Sequence, residues 1–359
     1  LDPRLHALVV AHEIGHECIH AGSTACSAED VDPSRSMEAA PVGLQRVEDV
    51  AELDHRRPDA AALLRRLRDR MRSGSVALLV VIDYPGFNMK LAREARACGV
   101  PVLYYITPQV WAWHASRLGT LAKIVTKAAC ILPFEERLLR QHGIDATFVG
   151  HPLLDRAREL PDRAAARHAL GLADGDRVLA LFPGSRRQEI ARHRADFVGA
   201  AQELQRRVPG LKVLVAAAPT VRLDPTEWPF PIVGAASFAL LRAADAALCK
   251  SGTTTLEAAV ADCPMIVAYR TNALTYALAK RLIRIPRIGL VNVVAGREVA
   301  PELVQHFTSA TLADALLPLL EPESPTRETM RAGLAEVRAL LGQPGASERV
   351  ARMASELAR

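Results

Sequence analysis

Val76-Ala77-Leu78-Leu79-Val80-Val81-Ile82-Asp83 is an unbroken apolar run that stops on an aspartate, and Tyr84-Pro85-Gly86 follows at once. A run with no polar alternation cannot keep one face wet, so this strand must be covered on both sides. Helical text follows from Asn88 to Ala97, then a second apolar strand from Val102 to Ile106. Buried strands joined through helices describe βαβ units and a parallel sheet. Ligands in such sheets sit beyond the carboxyl ends of the strands. Asp83 and Thr107-Pro108-Gln109 fall there.

Further along, the pattern restarts after Phe148-Val149-Gly150-His151-Pro152. A helical stretch from Arg163 to Leu170 leads into an apolar strand, Val178 to Phe182, and then Pro183-Gly184-Ser185-Arg186. Strands at Val213 to Ala217, Ala246 to Cys249 and Pro264 to Tyr269 continue the alternation. The expectation is two α/β lobes meeting near residue 155, one over 51–155 and one over 156–325. An atypical segment, 1–50, precedes them, and a helical tail rich in Ala, Leu, Glu and Arg, 326–359, follows. At 359 residues the chain exceeds what one hydrophobic core usually serves, which fits two domains.

Bulk properties remove several classes. Half of the residues are apolar and 24% are charged, as in a globular protein in water. No apolar run approaches the roughly 18 residues of a membrane-spanning helix. The opening has no secretory signal pattern, and the chain begins at Leu1 rather than Met, so an earlier natural start is an expectation. The six cysteines form no CxxC pair and fit a reducing, cytoplasmic setting. A net charge of +5 suits anionic partners, but aromatics are only 4%, and no basic cluster is interleaved with them, so nucleic acid is excluded as a partner.

Two strand-to-helix turns in the second lobe share a chemistry. In Pro183-Gly184-Ser185-Arg186, glycine lets backbone approach a ligand, serine can cap the helix or donate to an oxygen, and Arg186 offers a two-pronged fork. In Ser251-Gly252-Thr253, hydroxyls and free N–H groups gather at a helix start, where the dipole favours an anion. Together they form a plausible diphosphate cradle, while each alone also fits an ordinary helix N-cap. Neither has the P-loop or GxGxxG spacing. Glu257, four residues after Thr253, is suited to accept from a ribose diol or to complement the helix dipole.

The turns belong to an ordered series. Ile82-Asp83-Tyr84-Pro85-Gly86-Phe87-Asn88, Pro108-Gln109-Val110-Trp111-Ala112-Trp113, Leu132-Pro133-Phe134-Glu135, Phe148-Val149-Gly150-His151-Pro152, the two turns, Cys263-Pro264-Met265, Ala279-Lys280-Arg281-Leu282 and the stretch from Leu290 to Glu298 follow one another. Over roughly residues 75 to 340 the sequence resembles the lipid-A-disaccharide synthase family. The resemblance implies a GT-B fold, two Rossmann-like lobes with a cleft between them. It implies an inverting transfer of diacylglucosamine from UDP to the 6-hydroxyl of diacylglucosamine 1-phosphate, with no cofactor and no metal. It also implies peripheral contact with an anionic inner membrane, and the oligomeric state stays open.

On that footing Asp83 is the expected base. Gly184, Ser185, Arg186, Ser251, Gly252, Thr253 and Glu257 would hold the UDP donor, and Asn292 and Arg297 would touch sugar or phosphate. Asn88, Trp111 and Trp113 are candidates for the acceptor side. Arg117, Lys123 and Lys127, expected on one helix, suit anionic headgroups or simply a solvated face.

One signal competes. The family normally opens on a strand and a Gly-Glu-x-Ser-Gly-Asp loop, and residues 1–50 carry instead His12-Glu13-Ile14-Gly15-His16. HExxH on a helix puts two imidazoles on one face for zinc, with glutamate activating water. That pattern would make the chain a metallopeptidase, but the metzincin continuation is missing. A divergent opening, a first lobe short of a strand, and a catalytically inactive UDP-sugar-binding relative are the remaining alternatives.

Overall fold

The computed structural model describes residues 6–11, 44–46, 57–113, 117–234, 237–272 and 287–359. They fall into two units, Leu1–Asp155 with Gly342–Arg359, and Arg156–Leu341.

The first unit is built on six strands: β1 (His6–Ala11), β2 (Leu44–Arg46), β3 (Val76–Ile82), β4 (Val102–Tyr105), β5 (Lys127–Cys130) and β6 (Ala146–Phe148). Their order is β2-β1-β3-β4-β5-β6, and every pairing is parallel. Strand order reverses between β1 and β3, which places the crevice of this lobe beyond their carboxyl ends. β1 pairs with β3 from His6↔Val76 to Ala11↔Ile82, with a register shift after His6. Residues 6–11 and 44–46 therefore belong to the first sheet, correcting the expectation of a missing strand. Their apolar run, Ala7-Leu8-Val9-Val10, is short and abuts the HExxH pattern that drew the reading away from it.

Helices cover both faces of this sheet. On one face lie α1 (Arg57–Arg72), α2 (Pro85–Ala97), the short α3 (Val110–Trp113) and α4 (Leu118–Ile124). Leu63, Leu67 and Met71 of α1 recur every four residues and pack with Leu91 and Ala95 of α2 against Leu79 and Val81. α5 (Pro133–Gln141) and α6 (Leu153–Arg158) follow β5 and β6. The opposite face, Leu78, Val80, Leu103 and Tyr105, is covered from the far end of the chain, as described below.

The second unit repeats the scheme with a different order. After α7 (Arg163–Ala169) come β7 (Val178–Phe182), α8 (Arg187–Arg207), β8 (Lys212–Ala217), β9 (Ile232–Gly234), α9 (Ser237–Ala243), β10 (Ala246–Lys250), α10 (Thr254–Ala261), β11 (Met265–Tyr269), α11 (Leu290–Ala295), β12 (Glu302–Val304) and α12 (Ser309–Leu320). The sheet order, β12-β11-β10-β7-β8-β9, is that of a Rossmann fold, again all parallel. Its switch point lies between β7 and β10. The two glycine turns read from the sequence leave these two strands, so topology brings them side by side.

The helical stretch after residue 325 is divided between the units. α13 (Pro325–Leu340) belongs to the second, while α14 (Ala346–Leu357) places Val350, Met353 and Ala354 against Leu78, Val80, Leu103 and Tyr105 of the first sheet. Asp155 receives the backbone N–H groups of Gly345 and Ala346, which holds the entry to α14. No helix among the described residues is long and apolar enough to cross a membrane.

Candidate active site

β7 is buried along its whole length and ends at Phe182. Gly184 has φ +126°, a conformation that favours glycine, and a Cβ there would press on Glu189 Oε2 at 3.1 Å. Arg186 starts α8 in extended geometry, with its side chain 78% exposed. Three residues on, Glu189 is the hub of the cradle. Its Oε1 lies 3.1 Å from Arg186 Nη1 and 3.1 Å from Lys250 Nζ. Burial alone would raise this carboxyl, but Lys250 and Arg186 hold it below the usual carboxylate range. Lys250, the last residue of β10 and only 15% exposed, also lies 5.5 Å from the centre of the Tyr269 ring. A carboxylate from the helix that follows β7 and the ammonium at the end of β10 are thus already joined.

His193 buttresses this arrangement. Its Nε2 accepts from the Arg270 N–H at 2.9 Å, so Nδ1 carries the proton and donates to Glu189 O at 2.7 Å. Burial lowers its pKa and keeps it neutral. Ser185 O accepts from Thr220 Oγ1 at 3.0 Å, which fixes the turn from the β8 side.

The second turn is anchored rather than loose. Ser251 Oγ donates to Ile288 O at 2.8 Å, and Thr255 Oγ1 donates to Gly252 O at 2.8 Å. Thr253, exposed at the N-cap of α10, makes no side-chain cap bond. Glu257 is buried on the first turns of α10, with Arg156 Nη1 4.0 Å from its Oε1.

Asn292 differs from its sequence reading. It is fully buried and donates to Ala300 O at 2.7 Å and Glu302 Oε1 at 2.8 Å. Its Oδ1 accepts from the N–H groups of Val299 and Ala300. Those bonds use its whole carboxamide, so Asn292 holds Glu302, which in turn receives the N–H groups of Ile288 and Gly289. Arg297 is half-exposed and paired with Glu336 of α13.

In the first lobe, Asp83 and Tyr84 both adopt left-handed backbone, φ +47° and +42°, and Ile106 does so after the neighbouring strand, φ +56°. Each such conformation costs about 1–3 kcal/mol for a non-glycine residue and persists only where its surroundings impose it. Here Asn88 Nδ2 donates to Ile82 O at 3.0 Å and Asp83 O at 2.8 Å, while Tyr104 Oη donates to Asp83 O at 2.8 Å. Burial first, and then Asp83, raises the Tyr104 pKa and keeps its proton in place for that bond. Asn88, 1% exposed, thus braces the Asp83 elbow from inside through its Nδ2.

Trp111 Nε1 donates at 3.0 Å to Glu135 Oε1, and its ring meets Phe134 edge-on at 4.9 Å. Glu135 is buried and its other oxygen accepts from Leu132 N at 3.1 Å; burial pushes its pKa up to about 7. Trp113 lies on α3, and its side chain is outside the described residues. Arg117 and Lys123 are exposed at α4, but Lys127 opens β5 and lies 3.9 Å from Asp145, correcting its expected place on the same helix. Among the residues missed in the sequence, Glu189 carried a signal in its i,i+3 spacing from Arg186. Lys250 and Tyr104 carried none, since their partners come from other elements.

Two all-parallel Rossmann-like lobes in one chain define the GT-B class. The fold is similar to a putative UDP-N-acetylglucosamine 2-epimerase from Listeria monocytogenes, with TM-score 0.56, 11% identity, and 81% of this chain and 77% of that one covered. It is also similar to a UDP-forming α,α-trehalose-phosphate synthase from Burkholderia xenovorans, with TM-score 0.50, 12% identity and coverage of 86% and 80%. Residues 60–355 match the family described as Lipid-A-disaccharide synthetase. The lipid-A-disaccharide synthase of Geobacter sulfurreducens is 41% identical, covering 81% of this chain and 78% of its own. That of Anaeromyxobacter dehalogenans is 37% identical, covering 97% and 92%. The chain belongs to the lipid-A-disaccharide synthase family.

The Anaeromyxobacter match takes in most of the first fifty residues. His12, Glu13 and His16 lie outside the described residues, and nothing in the comparisons supports a peptidase.

Proposed function

We propose that this glycosyltransferase moves a diacylglucosamine unit from UDP to the 6-hydroxyl of diacylglucosamine 1-phosphate, releasing UDP and the β-1,6-linked disaccharide 1-phosphate. The observation that carries the reading is the joining of the β7 and β10 turns through Arg186, Glu189 and Lys250 at the switch point of the second sheet. A diphosphate laid along these turns meets two cations, two backbone turns and the start of α10. Glu257 accepts hydrogen bonds from the ribose diol. Asp83 takes the acceptor hydroxyl's proton as its oxygen bonds to the donor's anomeric carbon from the face opposite the diphosphate. The bond from that carbon to the phosphate oxygen breaks, and Arg186 and Lys250 neutralise the UDP that leaves. Charge neutralisation by these side chains gives the reading no need of a metal ion. The lipid substrates bring the chain to the cytoplasmic side of the inner membrane as a peripheral protein, with Arg117 and Lys123 facing anionic headgroups.

The test is UDP release from UDP-diacylglucosamine and diacylglucosamine 1-phosphate. Asp83→Ala is expected to lose about 10²–10⁴-fold in turnover while still binding UDP. Equal turnover by both proteins would remove Asp83 as the base. Wild-type UDP binding without transfer would identify an inactive relative.

A further inference from the structure

At the other end of the second sheet's strands lies a half-enclosed cavity of about 340 Å³ lined by Arg163, Arg242, Arg327, Arg331 and Asp262. Asp245, which precedes β10, and Asp262, which ends α10, mark this place as the amino-terminal side of the strands. The eight residues of α10, at about 1.5 Å each, set it roughly 12 Å from the Ser251-Gly252-Thr253 turn. It is therefore separate from the UDP cradle.

Its charges do not balance. Asp245 gathers Arg163 Nη2 at 2.7 Å, Arg327 Nη2 at 3.3 Å and the buried Arg167 at 3.8 Å. Asp262 is held by Arg331, whose Nε donates to Oδ2 at 3.0 Å. Glu328 adds one more carboxylate near Arg331. Four guanidinium groups, those of Arg163, Arg242, Arg327 and Arg331, line the cavity, with the carboxylates of Asp245, Asp262 and Glu328 beside them. Arg242 makes no ion pair among the described residues, and its buried Nε has no hydrogen-bond partner there. Its guanidinium lies 6.0 Å from the centre of the Phe238 ring and lines the cavity with no carboxylate of its own among the described residues.

We propose that this cavity is a second anion site, selective for a phosphate monoester. Guanidinium forks match phosphate oxygens, and a phosphate monoester brings the negative charge that Arg242 lacks. The volume lies within the range of small-ligand pockets, so a phosphorylated small molecule or the head of a phosphomonoester lipid fits equally well.

The experiment titrates the full chain with inorganic phosphate against chloride at constant ionic strength, by calorimetry, in the wild type and in Arg186→Ala. The second protein separates this site from the UDP cradle, because phosphate binding here survives the loss of Arg186. Arg242→Gln is expected to weaken that binding at least about fivefold. Asp262→Asn, which removes a competing carboxylate and suits the left-handed backbone at 262, is expected to tighten it. Opposite signs from two neighbouring substitutions, at unchanged melting temperature and UDP affinity, are not what a structural role alone produces. No phosphate binding in Arg186→Ala, or equal binding with and without Arg242, overturns the proposal. Phosphatidylcholine vesicles with and without phosphatidic acid then distinguish the sources. Phosphatidic-acid-dependent sedimentation that requires Arg242 assigns a lipid headgroup, and its absence alongside soluble phosphate binding assigns a free phosphate compound.

Discussion

Arg186 and Lys250 meet on one oxygen of Glu189, yet their surroundings differ enough to separate binding from stability. Arg186 is mostly solvated, so Arg186→Ala should leave the melting temperature alone while weakening UDP about 10–150-fold, the loss of one charge-assisted hydrogen bond. Lys250 is mostly buried, and its removal leaves the Glu189 carboxylate with only an exposed partner. Lys250→Met should therefore weaken UDP to a similar degree and also lower the melting temperature, as calorimetry and thermal unfolding would register together. In the other lobe Tyr104→Phe removes one of the bonds that hold Asp83 in left-handed backbone. The expected result is about 1 kcal/mol less stability and lower turnover, with UDP affinity unchanged. Asp83, Gly184 and Arg186 were legible in the sequence because a strand end followed by a turn places them without help. Lys250, Asn88 and Tyr104 were not, because each acts through a backbone or side-chain group that only the folded chain brings near. Asn292 was misread for the same reason: a family motif marks a position but does not distinguish a ligand contact from a loop brace.

At the scale of elements, the strands that were legible are the long apolar ones, β3, β4, β7, β8, β10 and β11, whose pattern alone reports burial on both faces. β1 and β2 were hidden because a short apolar run carries little periodic signal, and an HExxH motif beside one of them carries a loud one. The start of α5 holds something no pattern announces. Glu135 caps its own helix through Leu132 N and orients Trp111, all while buried. Its carboxyl rises from the usual 4.5 to about 7 because burial disfavours the charge. The fold thus holds a proton that the unfolded chain gives up earlier. This contribution to stability is complete below about pH 4.5 and is lost as pH climbs through 7, at most roughly 3 kcal/mol. Glu135→Gln cannot ionise, and keeps an acceptor for Trp111. The wild type's stability relative to Glu135→Gln should therefore fall between pH 4.5 and 7, as measured by melting temperatures across that window. A constant difference would mean that Glu135 does not titrate there.

For the whole molecule, the arrangement of sequence in space sets the order in which parts become stable. The second unit is continuous from Arg156 to Leu341, but the first is closed only by Gly342–Arg359. Until α14 arrives, one face of the first sheet, Leu78, Val80, Leu103 and Tyr105, lacks the cover that Val350, Met353 and Ala354 provide. The tail was legible as helix from its Ala, Leu, Glu and Arg, but nothing in its composition says that α13 and α14 serve different units. A chain ending at Leu341 should accordingly keep a folded second lobe and a destabilised first one. Its UDP affinity is expected to stay near that of the full chain, since the cradle lies wholly within Arg156–Leu341, while the first lobe binds apolar dyes and aggregates. A milder variant isolates packing from chain length. Met353→Ala should cost about 2–5 kcal/mol where the site cannot collapse, and that cost should appear only in the unfolding of the first lobe. Variants that keep only Trp111 or only Trp228 separate the lobes in unfolding followed by fluorescence, because the first reports unit one and the second unit two. Loss of UDP binding on removal of α14, with the second lobe still folded, would mean that the cradle does not bind UDP on its own.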